Sequence, residues 1–282
     1  NGCYHGHTDA MLIKAGSGLA GTATSSSAGV GTSISSDTLT CELGDLNYVE
    51  QIFKDHPDQV AAIFVEPLPA NNGLLIQDQE YLEGLRALCD KYNALLVFDE
   101  VISGFRVGFG GMGELTGITP DLVTYGKIIG GGFPVGAVAG KRDIMSCLAP
   151  IGEVYQAGTL SANPVAMVAG LENLKQLTPD FYKNLDENSN LIVQALKDSF
   201  AQTGFSDYEV VQYKSLFWTI PTKERVLIPS NVPSNLNERF IELFKHCQER
   251  GVYLSPNAYE VGFVSSAHNI DLAQELKKRL CS

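Results

Sequence analysis

The chain has 282 residues, 44% of them hydrophobic and 18% charged, with a formal net charge of −12. That is enough apolar material for a sizeable core and more than one domain. The acidic balance speaks against a nucleic-acid or anionic-membrane surface, which needs clustered Lys and Arg.

In chain order, residues 20–36 are rich in Gly, Ser, Thr and Ala and read as a mobile loop, either a functional lid or a plain surface segment. Residues 60–65 form an apolar run that ends at Glu66-Pro67 and predicts a strand. Residues 80–92 have helical spacing, with Tyr81, Leu82, Leu85, Leu88 and Cys89 on one face. Two further apolar runs, 94–98 and 122–126, break at Asp99 and at Lys127, and both read as buried parallel strands. Residues 136–140 predict a strand of small residues against which something packs closely. Asn163-Pro164 opens a helix through Leu177, with proline in its first turn where a missing N–H costs least. This rhythm predicts an α/β fold with a mostly parallel sheet flanked by helices.

Thr178-Pro179 marks the expected boundary between a large domain, 1–177, and a smaller C-terminal α+β domain, 178–282. The second domain is predicted to hold a helix over 181–203, strands near 208–211 and 216–220, a helix over 236–250, short strands at 252–254 and 261–264, and a final helix from Asp271.

The chemistry points to Asp99 and Lys127. The carboxyl ends of parallel strands line the ligand crevice of open α/β sheets, and a carboxylate and an amine are costly to bury there without partners. Pyridoxal 5'-phosphate uses such a pair, the lysine for covalent attachment and the acid against the pyridinium nitrogen. An apolar setting would keep the Lys127 amine uncharged and nucleophilic and let it carry protons. The plain alternatives are a solvated strand-end lysine, and an N-cap or buried ion pair for Asp99. Glu100 is expected to brace the strand end by hydrogen bonding. His5 and His7 could form a metal pair, but no third ligand of Cys, Asp or Glu lies nearby in the sequence. Gly130-Gly131-Gly132 lacks the G-x-G-x-x-G spacing of a dinucleotide site and is expected to bring the backbone close to a cofactor or the sheet.

Five segments, in order, carry a resemblance to a known family: Asn1-Gly2-Cys3-Tyr4-His5-Gly6-His7, Lys14-Ala15-Gly16-Ser17-Gly18, residues 97–106, residues 125–136, and Tyr155-Gln156-Ala157-Gly158-Thr159-Leu160-Ser161. The chain resembles the class III, fold-type I pyridoxal-phosphate aminotransferases, and among them the aminomutases, which exchange an amino group between neighbouring carbons. The resemblance implies that Lys127 and Asp99 are catalytic and hold the cofactor, which alternates with its pyridoxamine form. It places Val101 on one face of the ring, Tyr4 and His5 beside the other, Asn71 near the ring hydroxyl, and Gly158 and Thr159 on the phosphate of a neighbouring subunit in a homodimer. Ser17 and Glu260 would contact a small amino-aldehyde substrate, and the Ser17–Ala20 loop would close over it.

The sequence departs from the family pattern at Leu43-Gly44-Asp45, at Glu66–Asn72 and at Ala162. It also lacks a counterpart of the family's N-terminal third, which supplies the main phosphate loop and a substrate arginine. Two other readings stay open: a conventional class III aminotransferase with separate amino donor and acceptor, and a truncated chain that serves only in binding or assembly. A nicotinamide-binding protein has no fingerprint to support it. Six cysteines without a C-x-x-C, no secretory signal and no run of about 18 apolar residues predict reduced thiols and a cytoplasmic site, or the stroma if the source has plastids.

Overall fold

The computed structural model describes residues 1–14, 24–25 and 29–282. Two compact units emerge, one comprising Asn1, Cys3–Leu68 and Gln77–Leu177, the other Gly2, Pro69–Ile76 and Thr178–Ser282.

In the first unit, β1 (Ile13–Lys14) pairs antiparallel with β2 (Thr24–Ser25), and the helical turn α1 (Thr32–Ser35) follows. The described part of the predicted 20–36 loop therefore carries local structure: backbone bonds from Ile34 and Ser35 to the Gly31 carbonyl close the turn. Helix α2 (Leu46–Asp55) was not predicted; Asp45 caps it by accepting the Tyr48 N–H at 2.9 Å, and Val49 and Phe53 are buried. Helix α3 (Gln79–Tyr92) buries Tyr81, Leu82, Leu85 and Cys89 and ends on Asn93 in the left-handed conformation. The two helices meet closely, because a Cβ on Gly84 would lie 2.3 Å from Leu46.

The central sheet has the order β3 (Ala62–Val65), β4 (Leu95–Asp99), β5 (Leu122–Tyr125), β6 (Ala137–Gly140). The first three strands are parallel and β6 closes one edge antiparallel. Leu96, Val97 and Phe98 are buried, as expected for an apolar run covered on both faces. The expected close packing along β6 is confined to Gly140, whose Cβ would strike the Asp121 carbonyl at 2.5 Å; all four residues of the strand are exposed. A short helix α4 (Gly111–Thr116) lies between β4 and β5, and α5 (Arg142–Met145) follows β6. Helix α6 (Pro164–Leu174) is capped by Asn163, which accepts from Val165 and Ala166, and stops three residues earlier than predicted.

One buried carboxylate ties the opposite, amino-terminal side of the sheet together. Asp121 accepts the Leu96 N–H at 2.7 Å, Arg86 Nη1 at 2.7 Å and Lys141 Nζ at 2.5 Å.

In the second unit, α7 (Pro179–Gln202) starts on Thr178, whose hydroxyl accepts the Phe181 N–H. The antiparallel sheet β7 (Glu209–Tyr213), β8 (Leu216–Ile220), β9 (Gly262–Phe263) follows the order of the chain. Trp218 is 1% exposed, donates its indole N–H to the Ala258 carbonyl at 2.8 Å and stands where a Cβ on Gly73 would be, 2.5 Å away. Gly73 also has φ +79, so both space and backbone call for glycine there. Helix α8 (Leu236–Glu249) buries Leu236, Phe240, Leu243 and Cys247. The strand predicted at 252–254 is absent, because Gly251 turns left-handed and the Val252 N–H goes back to the Cys247 carbonyl to close α8. Helix α9 (Ile270–Leu280), capped by Asn269, ends the chain's regular structure. No described helix is long and apolar enough to cross a membrane.

Candidate active site

The site is built where β3, β4 and β5 end side by side. In register, Phe64 faces Val97, and Asp99 faces Thr124. Parallel neighbours therefore bring Glu66, Asp99 and Lys127 to the same carboxyl-terminal edge, the position at which open α/β sheets bind ligands.

Asp99 closes β4 and is nearly buried. One carboxylate oxygen, Oδ1, accepts the Val101 N–H at 3.0 Å and the Thr124 hydroxyl at 3.2 Å. The other, Oδ2, is 2.8 Å from His5 Nδ1. Burial alone would push the acid up, but the His5 contact and the two donors outweigh it, and Asp99 is held below the ordinary aspartate range. It is thus an ionised carboxylate in an enclosed setting, the state needed to pair with a protonated ring nitrogen.

His5 is brought to Asp99 across 94 residues of sequence. Its ring also tilts against Phe64, with centroids 6.1 Å apart. Tyr4 is 51% exposed, while its backbone N–H donates to Glu66 Oε1 at 2.6 Å.

Lys127 follows β5 directly, as the first residue of a 3-10 turn, Lys127–Gly130. It has φ +47, a left-handed conformation that costs a non-glycine residue of order 1 kcal/mol or more and tends to mark functional positions. Its side chain is exposed, in contrast to the expected apolar enclosure, so the amine is reachable. Behind it the glycine run lets the turn sit on α6. A Cβ on Gly131 would fall 2.5 Å from the Ala169 carbonyl, one on Gly170 would fall 2.2 Å from the Ile129 carbonyl, and Asn173 Nδ2 donates to the Ile128 carbonyl at 2.8 Å. Within the run, Gly131 thus serves a backbone-to-helix contact.

Val101 is half-buried beside Gly126, where a Cβ would lie 3.1 Å from Val101 Cγ1. Glu100 does brace the strand end: 2% exposed, it accepts the N–H groups of Met112 at 2.8 Å and Gly113 at 3.2 Å and the Ser103 hydroxyl at 3.2 Å. Burial pushes its carboxyl above the usual range.

The other candidates are spread more widely. Gly158 and Thr159 stand in an exposed loop before α6, flanked by Tyr155 and Leu160, which are 83% and 73% exposed. Asn71 and Glu260 are exposed residues of the second unit. Ser17 lies outside the described residues. Glu66 was missed as a site residue, although the signal was present: it ends an apolar strand run just as Asp99 does.

A family model described as "Aminotransferase class-III" matches residues 1–267. The glutamate-1-semialdehyde 2,1-aminomutase of Bdellovibrio bacteriovorus is 51% identical over 276 residues, which cover 97% of this chain and 65% of that protein. Among solved structures, an omega-transaminase from Sphaerobacter thermophilus superposes with a TM-score of 0.90 at 29% identity, over 100% of this chain and 66% of the other. A transaminase with PLP bound gives 0.83 at 26% identity, over 99% and 64%. The chain therefore spans a little under two thirds of the length of the relatives it matches.

Proposed function

The chain belongs to the class-III aminotransferase family, and from that premise we propose that it serves a pyridoxal-phosphate-dependent glutamate-1-semialdehyde 2,1-aminomutase. The reaction moves an amino group between neighbouring carbons of a small amino aldehyde and yields 5-aminolevulinate for tetrapyrrole (porphyrin) synthesis. The observation that carries the reading is the ionised, donor-surrounded Asp99 at the end of β4, with a reachable lysine at the end of the neighbouring strand. The 51% identity to an aminomutase supports the choice of reaction.

The residues present fit the cofactor. Within the first unit, Asp99 would be the counter-ion for the pyridine nitrogen, Val101 and Tyr4 would flank the ring, His5 holds Asp99, and Lys127 would provide the covalent anchor. When bound, pyridoxal phosphate supplies an electron-withdrawing ring and a carbon that carries the amino group. Asp99 keeps its charge because His5, Val101 and Thr124 compensate it, so it favours a protonated ring nitrogen. Lys127 Nζ would take and return protons at the substrate carbons, and its exposed side chain leaves the amine reachable. Gly158 and Thr159 complete the phosphate site of a second copy in a homodimer, a reading supported by the exposed apolar residues beside them.

The test is an assay of the purified protein, loaded with the pyridoxamine form, on glutamate-1-semialdehyde alone. Formation of 5-aminolevulinate without a second amine is expected. A strict need for an external amino donor would establish a conventional aminotransferase instead. A visible absorption band on adding pyridoxal phosphate, lost in Lys127→Ala, is the companion result. No band in either protein would overturn the cofactor assignment for this chain.

A further inference from the structure

Glu66 ends β3 as Asp99 ends β4, yet nothing in the cofactor chemistry uses it. It is 3% exposed, and a buried carboxylate is costly without strong donors. It accepts the Tyr4 N–H at 2.6 Å, a charge-assisted bond to backbone. One residue earlier, the Cys3 thiol lies against the backbone of Glu66 and is pushed up to about 12, first by burial and then by the Glu66 charge. One residue later, the His5 ring leans on Phe64 of the same strand and reaches Asp99 Oδ2. Residues 3, 4 and 5 therefore lie across the ends of β3 and β4, and Glu66 grips the middle of the three.

We propose that Glu66 is a positioning residue that fixes the Tyr4–His5 backbone so that His5 Nδ1 stays on Asp99. The inference rests on the reading of Asp99 as the ring-nitrogen partner only for its catalytic consequence; the positioning itself concerns this chain's own groups. The simpler alternative is a carboxylate that satisfies one loop amide and influences nothing beyond it. The two differ in one respect. Under the positioning role, removing the carboxylate moves the His5 ring; under the simpler role, it lowers stability and leaves His5 where it is.

The experiment is a long-range proton–nitrogen correlation of the histidine rings in the folded protein, with the His5 signals assigned by their loss in His5→Gln. In the parent protein the His5 Nδ1 signal is expected to show a single hydrogen-bonded environment. In Glu66→Ala it is expected to shift to that of a solvated imidazole. In Glu66→Gln, which keeps an acceptor for the Tyr4 N–H, the parent signal is expected to return. Unchanged His5 signals in folded Glu66→Ala overturn the proposal. If that variant does not fold, Glu66→Asp, whose shorter side chain cannot span the 2.6 Å contact unaided, is read in the same way. In the holoenzyme, Glu66→Ala is expected to lower kcat about tenfold with little change in KM, the scale of one lost charge-assisted hydrogen bond. Combined with His5→Gln, it is expected to lower kcat no further than His5→Gln alone. A parent protein inactive on the amino aldehyde would sink the functional reading, while the nitrogen spectra would still decide the role of Glu66.

Discussion

The Thr124 hydroxyl donates to Asp99 Oδ1 at 3.2 Å across the register pair that joins β5 to β4. With the Val101 N–H, two residues on, on the same oxygen and His5, 94 residues away, on the other, the carboxylate is held in one orientation by one local and two distant contacts. An amide in its place would keep the shape but not the charge. Asp99→Asn is expected to retain the fold and lower kcat by a factor of about 100 or more, the range of a lost acid–base or electrostatic group. Thr124→Val, which removes one neutral donor, is expected to cost only a few-fold. Steady-state kinetics on both variants checks the order; equal losses would mean that orientation, and not charge, dominates.

Gly131 has φ +55 and leaves no room for a methyl group against the Ala169 carbonyl. Gly131→Ala is therefore expected to destabilise the first unit by about 1–3 kcal/mol. Because the turn it closes begins at Lys127, the variant is also expected to lose kcat. Thermal unfolding and the visible band of the cofactor-loaded protein measure the two effects separately. A variant with normal stability would show that α6 yields to the added carbon.

The Asp121 cluster gives a pH dependence with a definite sign. Burial would raise this acid, but Lys141, the Leu96 N–H and Arg86 bring it down to about 2. A folded-state value below the unfolded value of about 3.9 adds stability above that pH, and the gain fades as pH falls from about 4 towards 2. The contribution at neutral pH is about 2 kcal/mol. Asp121→Asn is expected to be less stable than the parent at pH 7, and the gap is expected to narrow on acidification. Denaturant titrations at pH 7 and pH 3 check this; a constant gap would assign the loss to packing or to the half-buried Arg86 left behind.

Tyr155 and Leu160 flank Gly158-Thr159 and are largely exposed. If the homodimer forms through this loop, Tyr155→Asp with Leu160→Asp is expected to halve the mass seen by light scattering and to weaken cofactor retention. A parent protein that already runs as a single copy would remove the shared-phosphate reading.

The strand ends were legible because an apolar run of four or five residues that stops at a charged side chain is too short for a buried helix and too apolar for a loop. Asp99 and Lys127 both had that form. Helix α2 could also have been read, from Asp45 as cap and Leu46, Val49 and Phe53 at helical spacing. The His5–Asp99 contact could not, since no local pattern links residues 94 apart. At 252–254, a short apolar stretch after a helix looked like a strand, but the Val252 N–H was already committed to closing α8. Local propensity speaks for stretches that form their own hydrogen bonds and is silent where a neighbouring element claims them.

Trp218 is the sole tryptophan of the sequence, and it is sealed between Gly73 and the Ala258 carbonyl within the second unit. Its emission is therefore an optical reporter of that unit alone. Melting followed by tryptophan fluorescence tracks β8 and its surroundings, whereas far-ultraviolet dichroism averages over both units. Divergent transitions in the two signals would separate the cooperativity of the two units without a label or a substitution.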